Sequence, residues 1–307
     1  TMLSSSGTVS GGNFSIGGGG SLNVLDSSTL LIEHGNIVIN DGASFSVGGD
    51  SILDISDGSL EFINDAVVLF DGSSSIVVTG GNVEVSDQSL WTVGDDSALI
   101  VGGGNVVFDG DATLTVGGAS NLQVDGGNID FGGSSTFDVG GASSLEVSGG
   151  YLHVDDHMVW TVGHDSALIV GGGNVTFGGS TTVTIVDACF MLGTGGTTFD
   201  LGGTATTGGA FEILARGDGG TLTVSGTVTA GSNIDYRTSG DGGTLAVSGT
   251  VTAGSNIDYR TSGDGGTLTV NGTVTAGSNI DYRTSGDDGT LTVNGTVTAG
   301  SNIDYRT

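Results

Sequence analysis

Four arginines recur at a fixed interval near the end of the chain: Arg237, Arg260, Arg283 and Arg306. Each follows an aspartate by two residues, at Asp235, Asp258, Asp281 and Asp304. In an extended strand, residues two apart share a face. The spacing therefore makes a charged ladder, either a stripe that docks a ligand or a neighbouring fibre, or a solvated face on which opposite charges relieve repulsion between like rungs. The isolated Arg216 stands outside this ladder. A second set of acids, Asp218, Asp241, Asp264, Asp287 and Asp288, falls in Gly-rich corners. Carboxylates beside turn carbonyls suit a hard cation, so Ca²⁺ is the one cofactor the sequence suggests. The nonapeptide Gly-Gly-x-Gly-x-Asp of calcium rolls is absent.

Other reactive side chains are few. The chain has four histidines, His34, His153, His157 and His164. His157 and His164 lie near Asp155, Asp156 and Asp165, without the spacing of a metal site. The single cysteine, Cys189, sits in the run Cys189-Phe190-Met191 and reads as a buried filler rather than a nucleophile. No cleft-forming insertion accompanies any of these residues, so the sequence does not read as an enzyme.

What must position these groups is a repeat. Trp91-Thr92-Val93-Gly94 returns as Trp160-Thr161-Val162-Gly163 after 69 residues, three times 23. Gly-Gly-Asn ends at Asn13, Asn82, Asn105, Asn128 and Asn174 in the same register, with Asn36, Ser59 and Tyr151 at the intervening steps. About 13 coils of 23 residues fill the 307-residue chain. Within a coil, apolar residues alternate in pairs: Val106/Phe108, Leu114/Val116 and Leu122/Val124. Period two marks a strand with one buried face, and Gly-Gly, Asp-Gly or Gly-Ala between pairs marks a corner. The expected fold is an all-β parallel β-solenoid (a β-helix) with three short strands per coil.

The pair starts are spaced 8, 8 and 7 through residues 13–179. Five repeats over 198–307 keep the period with spacings of 6, 6 and 11, through Leu222/Val224, Val228/Ala230 and Ile234/Tyr236. Residues 180–197 form a transition coil, and 1–12 an N-terminal rung or docking segment. Outward threonines recur in the later repeats as Thr221/Thr223 and Thr227/Thr229, and again as Thr267/Thr269, Thr273/Thr275, Thr290/Thr292 and Thr296/Thr298, with Ala246 interrupting them. Such paired ranks are similar to those of ice-binding β-solenoids; they also match the plain preference of Thr for exposed strand sites.

The stretch from Trp91 to Asn105, with its copy at Trp160, resembles the autotransporter/PEP-CTERM-associated repeat and the strand repeats of haemagglutinin-type bacterial adhesins. The resemblance covers about residues 12–179 and implies a secreted, surface-associated β-solenoid, hence an extracellular or cell-surface location and attachment to a surface or matrix.

Charge narrows the partners. With 34 Asp and Glu against five Arg and no Lys, the formal charge is −29, which disfavours nucleic acid and anionic membrane. No run of 18 apolar residues is present, so membrane insertion is not expected. The chain opens without a charged n-region and an apolar h-region, so a signal peptide has been removed or was never present. Solenoids normally need polar caps, and neither end of this sequence shows a helix or a Pro-rich cap. The opening residues, with Leu3, Val9 and Phe14, loosely echo the last coil, with Leu291, Val297 and Ile303. That similarity suggests end-to-end self-association into a filament; the rival is a segment of a longer adhesin stalk.

Overall fold

The computed structural model describes residues 2–3, 7–155, 158–163, 166–171, 174–178, 181–185 and 189–307. It is an all-β parallel β-solenoid of about 12 turns, with three sheets and one strand per sheet in each coil. Two compact units divide the chain: Thr1–Tyr151 with His157–Trp160, and Leu152–Asp156 with Thr161–Thr307.

In the first unit the three faces are typified by the strands Val106–Phe108, Thr113–Val116 and Asn121–Asp125, here termed the first, second and third face. Each strand pairs in parallel with its copies one coil before and after, as in Val83↔Val106↔Ile129 and Leu99↔Leu122↔Leu145. The alternating pairs point inward as their period demands: Val106, Phe108, Leu114, Val116, Leu122 and Val124 are at most 3% exposed. No lone coil can bury such a face, so stability resides in stacking. Phe45, Phe62, Phe70, Trp91, Phe108, Phe131, Phe137 and Trp160 form a chain of ring contacts at centroid distances of 4.8–6.5 Å.

Two inward columns escape the pair pattern. Ser28, Ser51, Ser74, Ser97, Ser120 and Ser143 are all buried just before the third-face strand. Several give their hydroxyls to corner carbonyls: Ser51 to Gly48 at 2.6 Å, Ser120 to Gly94 at 2.7 Å and Ser143 to Gly117 at 2.6 Å. Ala43, Ala66, Ser89, Ala112 and Ser135 fill the corner before the second face. The corner before the first face is tied by a side-chain ladder. Asn82 Oδ1 accepts the amide of Asn105, and Asn105 Oδ1 that of Asn128, both at 3.0 Å. Here Gly104 has no room for a side chain, since a Cβ would run into the Gly81 carbonyl oxygen.

In the second unit the same faces are typified by Thr221–Val224, Thr227–Ala230 and Ile234–Ser239. Leu222, Val224, Val228, Ala230, Ile234 and Tyr236 are at most 2% exposed. The third-face strand is longer than the pair pattern suggests and buries a further residue, Thr238, repeated at Thr261 and Thr284.

Register accounts for the change of spacing. Asn174 pairs with Thr198, 24 residues on; Thr182 pairs with Thr204 and Cys189 with Phe211, each 22 on. Thereafter every step is 23. Two residues are lost from the corner between first and second faces, and two are gained in the corner between third and first. Ser166 pairs with Cys189, and Cys189 in turn occupies the register of Phe211 and Ile234. The 6-6-11 design is thus the 8-8-7 design with its corners redistributed and a buried serine position made apolar.

Candidate functional site

The Asp/Arg ladder lies on the third face of the second unit, with Asp235↔Asp258↔Asp281↔Asp304 and Arg237↔Arg260↔Arg283↔Arg306 in register. Within each strand the guanidinium reaches back to its own aspartate. Arg237 Nε donates to Asp235 at 2.7 Å and Arg260 Nε to Asp258 at 2.6 Å, and in both the terminal Nη2 pairs with the second carboxylate oxygen. Arg306 Nη2 donates to Asp304, whereas Asp281 and Arg283 stand 3.9 Å apart. Two environments result. Burial raises the carboxyl of Asp235 against the opposing pull of Arg237; on the exposed last rung, the hydrogen bond from Arg306 lowers that of Asp304. Arg216 is placed opposite Ser239, at the edge of the ladder and exposed.

Behind this face, Tyr236, Tyr259, Tyr282 and Tyr305 form a column of rings with centroids 5.3–5.6 Å apart. Burial pushes the phenols of Tyr236, Tyr259 and Tyr282 up, so they remain neutral. Their hydroxyls, and those of Thr238, Thr261 and Thr284, have no hydrogen-bond partner among the described residues. Tyr236 faces inward as its alternation predicts, whereas the burial of Thr238 was not read from the sequence, because a hydroxyl carries no apolar signal.

The corner acids also stack. Asp218 Oδ1 accepts the amide of Asp241 at 3.1 Å, Asp241 that of Asp264 at 3.0 Å and Asp264 that of Asp287 at 2.9 Å. These carboxylates are thereby engaged in holding the turn, one coil to the next. Asp288 takes the positive-φ position held by Gly219, Gly242 and Gly265 in the other repeats. Among the described residues, no group of three or more His, Cys, Asp and Glu is arranged to hold a metal ion. His157, His164, Asp156 and Asp165 lie outside the described residues; His34 is an exposed side chain 3.3 Å from Asp57. Cys189 opens the strand Cys189–Thr194.

The threonine ranks divide between two faces, which the linear sequence did not separate. Thr221/Thr223, Thr267/Thr269 and Thr290/Thr292 lie on the first face, where Ala246 pairs with Thr223 and Thr269 and breaks the array. The second face has no such break. Its outward pairs are Thr227/Thr229, Thr250/Thr252, Thr273/Thr275 and Thr296/Thr298, and register extends them backward through Thr204/Thr206 to Thr182/Thr184.

On the last rung, Ile303 is 39% and Tyr305 50% exposed, where Ile280 and Tyr282 one coil earlier are at most 1%. Val9 and Phe14, at the other end of the chain, pair with Ile32 and Ile37. No helix among the described residues is long and apolar enough to cross a membrane. No family model, curated protein or solved structure matches this chain.

Proposed function

We propose that this protein is an extracellular structural β-solenoid that associates head to tail into a filament or surface fibre. The observation that carries the reading is self-complementarity. Successive coils of the second unit present the same residues at the same register: Leu268 on Leu291, Val274 on Val297, Tyr282 on Tyr305. Within the chain, one edge of each of these coils therefore binds the opposite edge of the next, and the proposal extends that contact to a second molecule. The register that seats Leu291, Val297 and Tyr305 on the coil before them would seat a further coil in the same way, from following sequence or from another molecule. Such a contact is heterologous and does not close on itself. The surface location is supported by the resemblance of the Trp91 and Trp160 segments to secreted repeats. The acidic, Lys-free composition also favours a fibre that stays soluble between contacts.

Light scattering over a concentration series, with negative-stain imaging of the same samples, tests the proposal. Growth of fibres one coil-stack wide is expected, and Val297→Lys, which puts a charge into the docking rung, should abolish it. A particle that stays monomeric at every concentration overturns the filament and leaves a stalk segment as the better reading.

A further inference from the structure

The second face of the second unit is set apart by what it excludes. Its outward positions run Thr182, Thr204, Thr227, Thr250, Thr273, Thr296 in one column, with a second column of threonines two residues further along each strand. No charged side chain lies on any of these strands, although the chain carries 34 acids and five arginines. The other two faces of the same coils hold Asp200, Glu212 and the whole Asp/Arg ladder. Charge is thus kept off one face of a strongly acidic molecule for six successive strands.

The threonines are also held in a lattice. Parallel strands stand about 4.8 Å apart, and alternate residues along a strand about 6.6 Å apart. Every outward step on this face joins Thr to Thr, and the backing residues Val228, Ala230, Val251, Ala253, Val274 and Ala276 are at most 3% exposed. Threonine is stiff at χ1, so its methyl and hydroxyl repeat with the backbone rather than sampling many positions. The outcome is a rigid two-dimensional array of paired methyl and hydroxyl groups. A charged group orders water radially around itself, whereas this array presents only hydroxyls and methyls at spacings close to those of the oxygen lattice of solid water.

We propose that this threonine face is an ice-binding surface. The assignment is independent of filament formation, because the face runs along the stack and the docking rung lies across it. The test uses the full chain and measures thermal hysteresis and crystal shape in a nanolitre osmometer, with partition of labelled protein into a growing ice body. The unsubstituted protein should shape crystals, arrest their growth below the melting point and enter the ice. Thr252→Lys, at the middle of the array, should remove most of the hysteresis and the partition. Thr269→Lys, on the neighbouring first face, should leave both unchanged. Circular dichroism and a melting curve establish that each variant is folded. An unsubstituted protein that is excluded from ice and shows no hysteresis overturns the proposal, as does equal loss in both variants. A dimer by light scattering that Thr252→Lys dissolves would assign the face to a second copy of the chain and would overturn it too.

Discussion

At the residue scale, the glycines of this chain are of two physical kinds. Some supply positive φ, as Gly103 and Gly126 do at φ of 81° and 72°. Gly104, one residue on, has no such backbone angle; it is required because the carbonyl of Gly81 in the preceding coil occupies the place of its Cβ. The Gly81 carbonyl can come this close to Gly104 only where no side chain intervenes, and the Asn82–Asn105–Asn128 ladder beside it fixes that approach. Gly104→Ala should therefore destabilise the first unit by about 3 kcal/mol, through a backbone shift that also stretches the Asn ladder. Gly103→Ala tests the other mechanism and should cost about 1 kcal/mol. Denaturant midpoints of the two variants, at unchanged slope, check the order. A milder effect at Gly104 than at Gly103 would contradict the steric account.

At the scale of the strand, the Asp/Arg ladder shows that one motif has two electrostatic outcomes. Asp235 lies inside the array, where burial outweighs the guanidinium and raises its carboxyl; Asp304 lies on an open rung, where Arg306 lowers it. For Asp235 the sign follows directly. A raised folded value means that this group's contribution to stability is complete below its unfolded value near 4 and is lost as pH rises through the folded value. Asp235→Asn removes that loss, so between about pH 3 and pH 6 its stability should fall less steeply than that of the unsubstituted protein. Urea midpoints at the two pH values measure this, and a steeper fall in the variant would show that the Arg237 pairing dominates instead.

Strands were also the level at which the sequence was most readable. Pairs such as Val106/Phe108 and Leu114/Val116 announced themselves by alternation and by the 23-residue interval, and their burial follows. Positions near corners were not readable in the same way. Ser120 and Ser143 are as buried as core residues, yet a small polar residue after a Gly-Gly-Ala corner carries the same signature as a loop, because its burial depends on a carbonyl supplied by another coil. Thr238 was hidden for the related reason that a hydroxyl carries no apolar signal. The two threonine faces merged in the sequence because only the corner at Ser225-Gly226 separates them, and a change of chain direction leaves no mark in polarity.

For the whole molecule, periodicity makes the coil a unit of removal. Deleting residues 244–266 joins Gly243 to Thr267, which recreates the Gly266–Thr267 junction, and brings the coils Thr221–Gly243 and Thr267–Gly289 together. Every ladder that crosses the cut then finds an equivalent partner: Asp218 to Asp241 to Asp287 at the corner, Tyr236 to Tyr282 in the core, Arg237 to Arg283 outside. Nearest-neighbour interfaces set the stability of a repeat array, so the shortened protein should fold and melt cooperatively within a few degrees of the parent. Removing residues 244–254 instead deletes the first- and second-face strands of one coil and keeps its third. The order of faces is then broken, and every inward side chain beyond the cut must lose its partner or leave two faces unpaired. That variant should lose its cooperative melt and bind a hydrophobic dye. Circular dichroism melts and dye fluorescence on the pair separate a stack held by coil-to-coil register from one held by composition alone; equal behaviour of the two deletions would rule out register as the organising force.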